Sequence, residues 1–166
     1  MLDEKKTAKP VSASQVFSTY LVLPTHTNAL GSIFGGTIMS WIDVTAAICG
    51  QRHSHSIVVT ASIDELHFIA PVYLGWAVNL KASCNFVSKS SMEIGVRVDA
   101  ENPHTGEQFH TASAYLTFVA LDEQRKPIEV PGLILENDIQ RIRHSQASFR
   151  REHRLRMRQQ RQKARQ

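Results

Sequence analysis

From Thr37 to Gly50 the chain reads as a helix that is apolar on nearly every face, carrying Ile38, Met39, Trp41, Ile42, Val44, Ala46, Ala47 and Ile48. A helix with a single apolar stripe rests on a domain surface, whereas one that is apolar all round has to be enclosed. The remaining sequence supplies the enclosure. Trp76, Val78, Leu80, Ala82, Cys84 and Phe86 alternate with Ala77, Asn79, Lys81, Ser83 and Asn85. Met92, Ile94, Val96 and Val98 alternate with Glu93, Gly95, Arg97 and Asp99, and Ala112, Ala114, Leu116 and Phe118 alternate with Thr111, Ser113, Tyr115 and Thr117. This is the period-two pattern of a sheet with one buried face. Shorter β-like runs cover Val16 to Leu23, Ser56 to Ala61, and the stretch around Leu66 and Phe68. Turn residues separate the long strands at Ser88–Ser91 and Asn102–Gly106. One helix cannot cover both faces of such a sheet. The prediction is an α+β fold in which the helix lies along the concave face of a curved antiparallel sheet, with Gly50 placed to end the helix.

A length of 166 residues suits one compact domain. Residues 1–15 are polar and expected to be disordered, residues 16–135 form the domain, and residues 136–166 form a basic, weakly amphipathic helical extension. The net charge of +4 hides a division. Residues 139–166 hold ten Arg or Lys against Glu152 alone, a net +9, and residues 1–138 are left with −5. A charge run specifies no ligand by itself. The expected role of the tail is a solvated extension, and nucleic acid is not an expected partner.

No stretch of 18 apolar residues is present, so a membrane helix is not expected. The start Met1-Leu2-Asp3-Glu4-Lys5-Lys6 lacks the apolar core of a secretory signal, which leaves the cytoplasm as the expected location. Cys49 and Cys84 stand in apolar contexts and read as buried free thiols of a reducing compartment. His26, His53, His55 and His67 fit no zinc spacing, so no metal is expected. There is no Gly-x-Ser-x-Gly elbow and no glycine-rich phosphate loop followed by Lys.

The most unusual residue is Asp43, an acid between Ile42 and Val44 with no Lys or Arg within one turn. A carboxylate there is costly unless it is paired, caps a neighbouring loop or faces a cleft. The second signal is Gly35-Gly36, just before the helix. Bare glycines let a ligand approach, and free amides at a helix start attract developing negative charge; a tight turn is the plainer alternative. Gly36 and Asp43 are separated by about 10.5 Å of helical rise. One chain's Asp43 therefore does not reach a carbonyl held at its own Gly36. Two antiparallel helices from two-fold related copies would bring them together, which predicts a site shared between subunits.

The segment from His26 to Asp43, HTNALGSIFGGTIMSWID, resembles the signature of the cytosolic acyl-CoA hydrolase family of hot-dog thioesterases, which includes the bacterial YciA-type and animal brain-type enzymes. The resemblance continues through Val59–Asp64, Phe68 and Ser88–Ile94 and ends near Pro131. Many relatives carry Asp just before the loop and His at the position of Phe34; here His26 and Phe34 stand instead. The resemblance implies a hot-dog fold, paired into a dimer and assembled as a trimer of dimers, hydrolysing acyl-CoA to fatty acid and coenzyme A. It implies no cofactor beyond the coenzyme A of substrate and product. It assigns Asp43 as general base or nucleophile and Asn28 as its complement from the opposing subunit.

On that reading Gly36 N–H polarises the thioester carbonyl. Gly35, Arg52, Lys89, Ser90 and Ser91 are the expected substrate-binding residues, the two cations being candidates for coenzyme A phosphates. A hot-dog hydratase or dehydratase, and a non-catalytic acyl-CoA-binding protein, are the alternatives. The first would need a His paired with the acid, and the helix offers Asp43 without one.

Overall fold

The computed structural model describes residues 7–64 and 66–164. Its strands are β1 (Lys9–Pro10), β2 (Val16–Leu21), β3 (Ile57–Ile63), β4 (His67–Phe68), β5 (Ala77–Val87), β6 (Ser91–Glu101), β7 (Gln108–Leu121) and β8 (Leu133–Ile134), and its α-helices are α1 (Gly35–Ser54) and α2 (Asp138–Lys163). Antiparallel pairing runs in the order β2-β5-β6-β7-β3, with β4 also paired to β7. The alternation read from the sequence fixes which side chains face α1. Val78, Leu80, Ala82 and Cys84, then Met92, Ile94, Val96 and Val98, then Ala112, Ala114, Leu116 and Phe118 are all buried against it. From α1 come Ile38, Ile42, Ala46 and Cys49, one stripe at helical spacing. Each large side chain so enclosed contributes about 1.5–3 kcal/mol. Register shifts at Cys84/Phe86, Val98/Asp99 and Thr60/Ser62 bend the strands as bulges do, curling the sheet around the helix.

Four expectations need correction. The helix is not enclosed on every face: Met39 and Val44 are 41% and 49% exposed, beside a similarly bare β3. Among the described residues nothing covers that side. Gly50 does not end α1, which runs on to Ser54 and closes on His55 in the left-handed region. Gly50 instead sits buried within the helix, facing Met92 and Val58 at ordinary van der Waals distance.

Residues 9–14 are ordered rather than disordered. β1 pairs in parallel with β8, Val11 and Ser14 are buried, and Ser12 bonds to Glu136. The polar composition concealed a tether, for Lys9 Nζ caps the His53 carbonyl at 2.8 Å.

Nor is the basic tail a solvated extension along its whole length. Asn137 caps α2, accepting from Gln140 N, and Ala147 is fully buried. Arg150 and Arg154 both bind Glu93, an outward-facing acid of β6 that is 2% exposed. A carboxylate so covered requires opposite charge, and the tail brings it.

Candidate active site

Asp43 lies midway along α1, half-buried, with Oδ1 accepting a hydrogen bond from Thr60 Oγ1 at 2.7 Å. Among the described residues it makes no ion pair, so the carboxylate has one hydroxyl partner and an open side. The plainer reading of Asp43, that it caps loop amides, does not hold. Its partner is a side chain on β3.

Gly35 and Gly36 open the first turn of α1, two residues earlier than the sequence suggested, and at the first two helical positions their amides have no intrahelical acceptor. Aromatic rings pack on both bare backbones. The Phe68 ring lies 3.4 Å from where a Cβ on Gly35 would stand, and Phe34 occupies the space a Cβ on Gly36 would need. Next to this turn is a cavity of about 280 Å³, lined by Ser32, Ile33, Gly35, Ile38, Phe68 and Val72 among others. Its mainly apolar wall suits an acyl group better than a polar arm. A larger cleft of about 400 Å³, bounded by Phe17, Lys81, Arg97, Tyr115 and Arg143, opens on the outer sheet face, away from Asp43.

Asn28 is exposed, and its side-chain bonds stay inside its own loop: Nδ2 donates to Ser32 Oγ at 3.1 Å, and Oδ1 accepts from Leu30 N at 2.9 Å. Within one chain it is not joined to Asp43. His26 is structural, with Nδ1 accepting from Leu23 N and its ring edge-on to Trp41, which stacks on Tyr20. Arg52 donates from Nη1 to the Gln15 carbonyl at 2.9 Å. Lys89 is exposed in the β5–β6 turn, whose backbone is fixed by Val130 N to Lys89 O and Ala120 N to Ser90 O; Ser90 and Ser91 are half-buried there. This turn and Arg52 belong to the C-terminal end of α1, where Gly50 meets Met92 at the start of β6. Gly36 belongs to the other end. A single chain therefore brings Asp43 to Thr60 but does not bring Asn28, Gly36 and Lys89 to Asp43.

Thr60 is the site residue that sequence reasoning missed. It lay inside the Val59–Asp64 stretch of the family resemblance, but a β-branched hydroxyl residue is ordinary in a strand and nothing local singled it out.

Residues 30–107 match the family model described as the thioesterase superfamily. The acyl-CoA thioester hydrolase YkhA of Bacillus subtilis is 40% identical over 134 residues, 81% of this chain and 78% of the relative. This chain belongs to the acyl-CoA thioester hydrolases of the hot-dog thioesterase superfamily.

Several solved acyl-CoA hydrolases match this fold over nearly the whole chain. The Staphylococcus aureus acyl-CoA hydrolase, determined with butyryl coenzyme A, coenzyme A and coenzyme A disulfide, superposes with a TM-score of 0.88 at 34% identity, covering 95% of this chain and 96% of its own. Structures of that hydrolase have also been determined with alanine in place of an aspartate, an asparagine or a threonine. An acyl-CoA thioesterase described as an apo hexamer has a TM-score of 0.88 at 38% identity, covering 91% of this chain and 97% of its own. The hydrolase family, the α+β hot-dog architecture and the absence of a serine-nucleophile motif agree with one another.

Proposed function

We propose that this chain hydrolyses acyl-CoA thioesters to a free carboxylic acid and coenzyme A, with Asp43 as the reacting acid. The observation that carries the reading is the Asp43 carboxylate, paired with no cation among the described residues and oriented by Thr60, in a hydrolase whose relatives are named for acyl-CoA hydrolysis. Asp43 takes a proton from water as the oxygen attacks the thioester carbon. The resulting oxyanion is stabilised by Gly36 N–H at the helix start. The carbon–sulfur bond then breaks and the thiolate leaves with the proton held by Asp43. Direct attack by Asp43, giving an anhydride that water then cleaves, uses the same residues and yields the same products.

The site is completed by a second copy. The bare face formed by Ile57, Val59 and Ile63 of β3 with Met39 and Val44 of α1 supports pairing there, with antiparallel helices. Such pairing sets Asn28 and Gly36 of one subunit against Asp43 of the other. It also turns Lys89, Ser90, Ser91 and Arg52 toward the partner's Gly35-Gly36, where coenzyme A phosphates need cations. The hexameric relative supports assembly of three such dimers. No described helix is long and apolar enough to cross a membrane, and two buried free cysteines suit the cytoplasm.

A thiol-release assay over acyl-CoAs from acetyl to palmitoyl tests the reading. Turnover of at least part of the series is expected. Acyl-CoA binding without thiol release would leave a binding protein instead.

A further inference from the structure

The tail helix is tied to the strand that carries Thr60. Arg154 Nη1 donates to Asp64 Oδ2 at 2.6 Å and to Glu93 Oε2 at 3.2 Å. Arg150 donates to Glu93 Oε1 at 2.6 Å, and its guanidinium lies 3.6 Å above the centre of the Tyr115 ring. Tyr115 is joined to the same place from the other side, its carbonyl accepting from Asp64 N at 2.9 Å. Two tail cations thus grip two acids of the body. The Glu93 and Asp64 side chains are only 2% and 18% exposed, so water and salt screen these pairs less than surface pairs.

Asp64 stands one residue beyond β3 and four beyond Thr60. Between them the pairing with β7 is interrupted, since the register shifts between Thr60 and Ser62. After that bulge only Ser62 and Ile63 remain paired, to Thr117 and Leu116. In the chain's own sheet β3 is an edge strand, with β7 on one side only. A short, bulged end of an edge strand has little to fix it apart from what binds its last residues. Here those contacts are the Asp64 N–H bond to the Tyr115 carbonyl and, from the tail, the Arg154 bond to the Asp64 carboxylate.

We infer that α2 is a strut for the active site: Arg154, through Asp64, fixes the bulged end of β3 so that Thr60 keeps its hydrogen bond to Asp43. Arg154 is a positioning residue and does not touch substrate. The inference rests on Asp43 being the acid of thioester hydrolysis, and it goes beyond that reading by giving the tail a part in turnover. A solvated tail would have been dispensable.

The test uses the full chain in its native assembly, with butyryl-CoA as substrate and Arg154→Gln, Arg154→Lys, Thr60→Val and the Arg154→Gln/Thr60→Val pair as variants. Loss of a hydrogen-bonded orientation predicts a fall in kcat of about 10-fold for Arg154→Gln, with KM changed by less than about 2-fold. Because Arg154 acts through Thr60, the double variant is expected to be no worse than Thr60→Val alone. Arg154→Lys should recover part of the rate, since it keeps the charge beside the acids but loses the fixed geometry of the planar guanidinium. Amide exchange at residues 57–63, measured without substrate, should quicken in Arg154→Gln at unchanged oligomeric state.

Undiminished kcat in Arg154→Gln would overturn the strut, and so would losses that multiply in the double variant. Unchanged exchange in β3 would overturn it even if the wild-type chain released no thiol from any acyl-CoA. That last failure would count against the hydrolase reading and not against the strut.

Discussion

Thr60 Oγ1 donates to Asp43 Oδ1 at 2.7 Å, joining a mid-helix acid to the edge strand across seventeen residues of sequence. The bond leaves the second carboxylate oxygen open and fixes the direction in which it points. Asp43→Asn keeps the shape but not the base, and is expected to lower turnover on the order of 10²–10⁴-fold while the assembly is retained. Thr60→Val removes only the orientation and should cost about 10-fold. Steady-state kinetics alongside a measurement of native mass checks both. Near-normal turnover by Asp43→Asn would remove this residue from the mechanism.

The separation of Asn28 from Asp43 within one chain leads to a complementation experiment. Asn28→Ala and Asp43→Asn homo-oligomers should each be poorly active. Mixed by mild unfolding and refolding, they should regain about a quarter of wild-type activity, because about half the dimers are mixed and each mixed dimer holds one intact site of two. Differently tagged chains verify the exchange. Confirmed exchange with no recovery would show that both residues serve the same subunit's site.

Cys49 and Cys84 are buried, and burial pushes the Cys49 thiol up to about 12 and Cys84 well above its ordinary value. Thiolate is the reactive form, so neither should react with a disulfide reagent at pH 8 in the folded protein. Titration in denaturant should then count two thiols. Fast labelling of the native chain would mean that the core opens readily around α1.

His53 is buried, its Nε2 lies 2.9 Å from the Pro131 carbonyl, and its Nδ1 has no hydrogen-bond partner. Burial holds the imidazole below its ordinary value. A group depressed in this way stays neutral in the fold while the unfolded chain takes up a proton. Stability should therefore fall as pH drops below about 6.5, until the folded ring also titrates. The Tm of the wild-type chain should decline more between pH 7.5 and 5.5 than that of His53→Gln. Parallel curves for the two would assign the acid sensitivity to other groups.

Local periodicity settled a good deal of this protein in advance. Alternation along β5, β6 and β7 decided which side chains meet the helix, because a strand turns successive residues to opposite faces whatever lies around it. The helical run decided α1, and an acid stranded among Ile42, Val44 and Ala46 singled out Asp43. Asn28 was legible through family resemblance alone, since nothing in its own surroundings separates it from any loop asparagine. The glycine pair was legible as a helix start, although the two rings laid over it were not.

The contacts that turn these parts into a site depend on register, and register is a property of the whole sheet. Thr60 meets Asp43 because β3 joins the far edge beside β7 and bulges just after Thr60, neither of which a β-branched run declares. Glu93 read as one more solvent-facing alternate of β6 until α2 covered it, and its partner Arg150 lies 57 residues away. Lys9 and Ser12 read as polar leader until His53 and Glu136 gave them acceptors. In each case the residue type was ordinary and the partner distant. Sequence pattern determines the face a side chain takes, by backbone geometry alone. Which side chain waits on that face is decided only when the strands have aligned and the helices have docked.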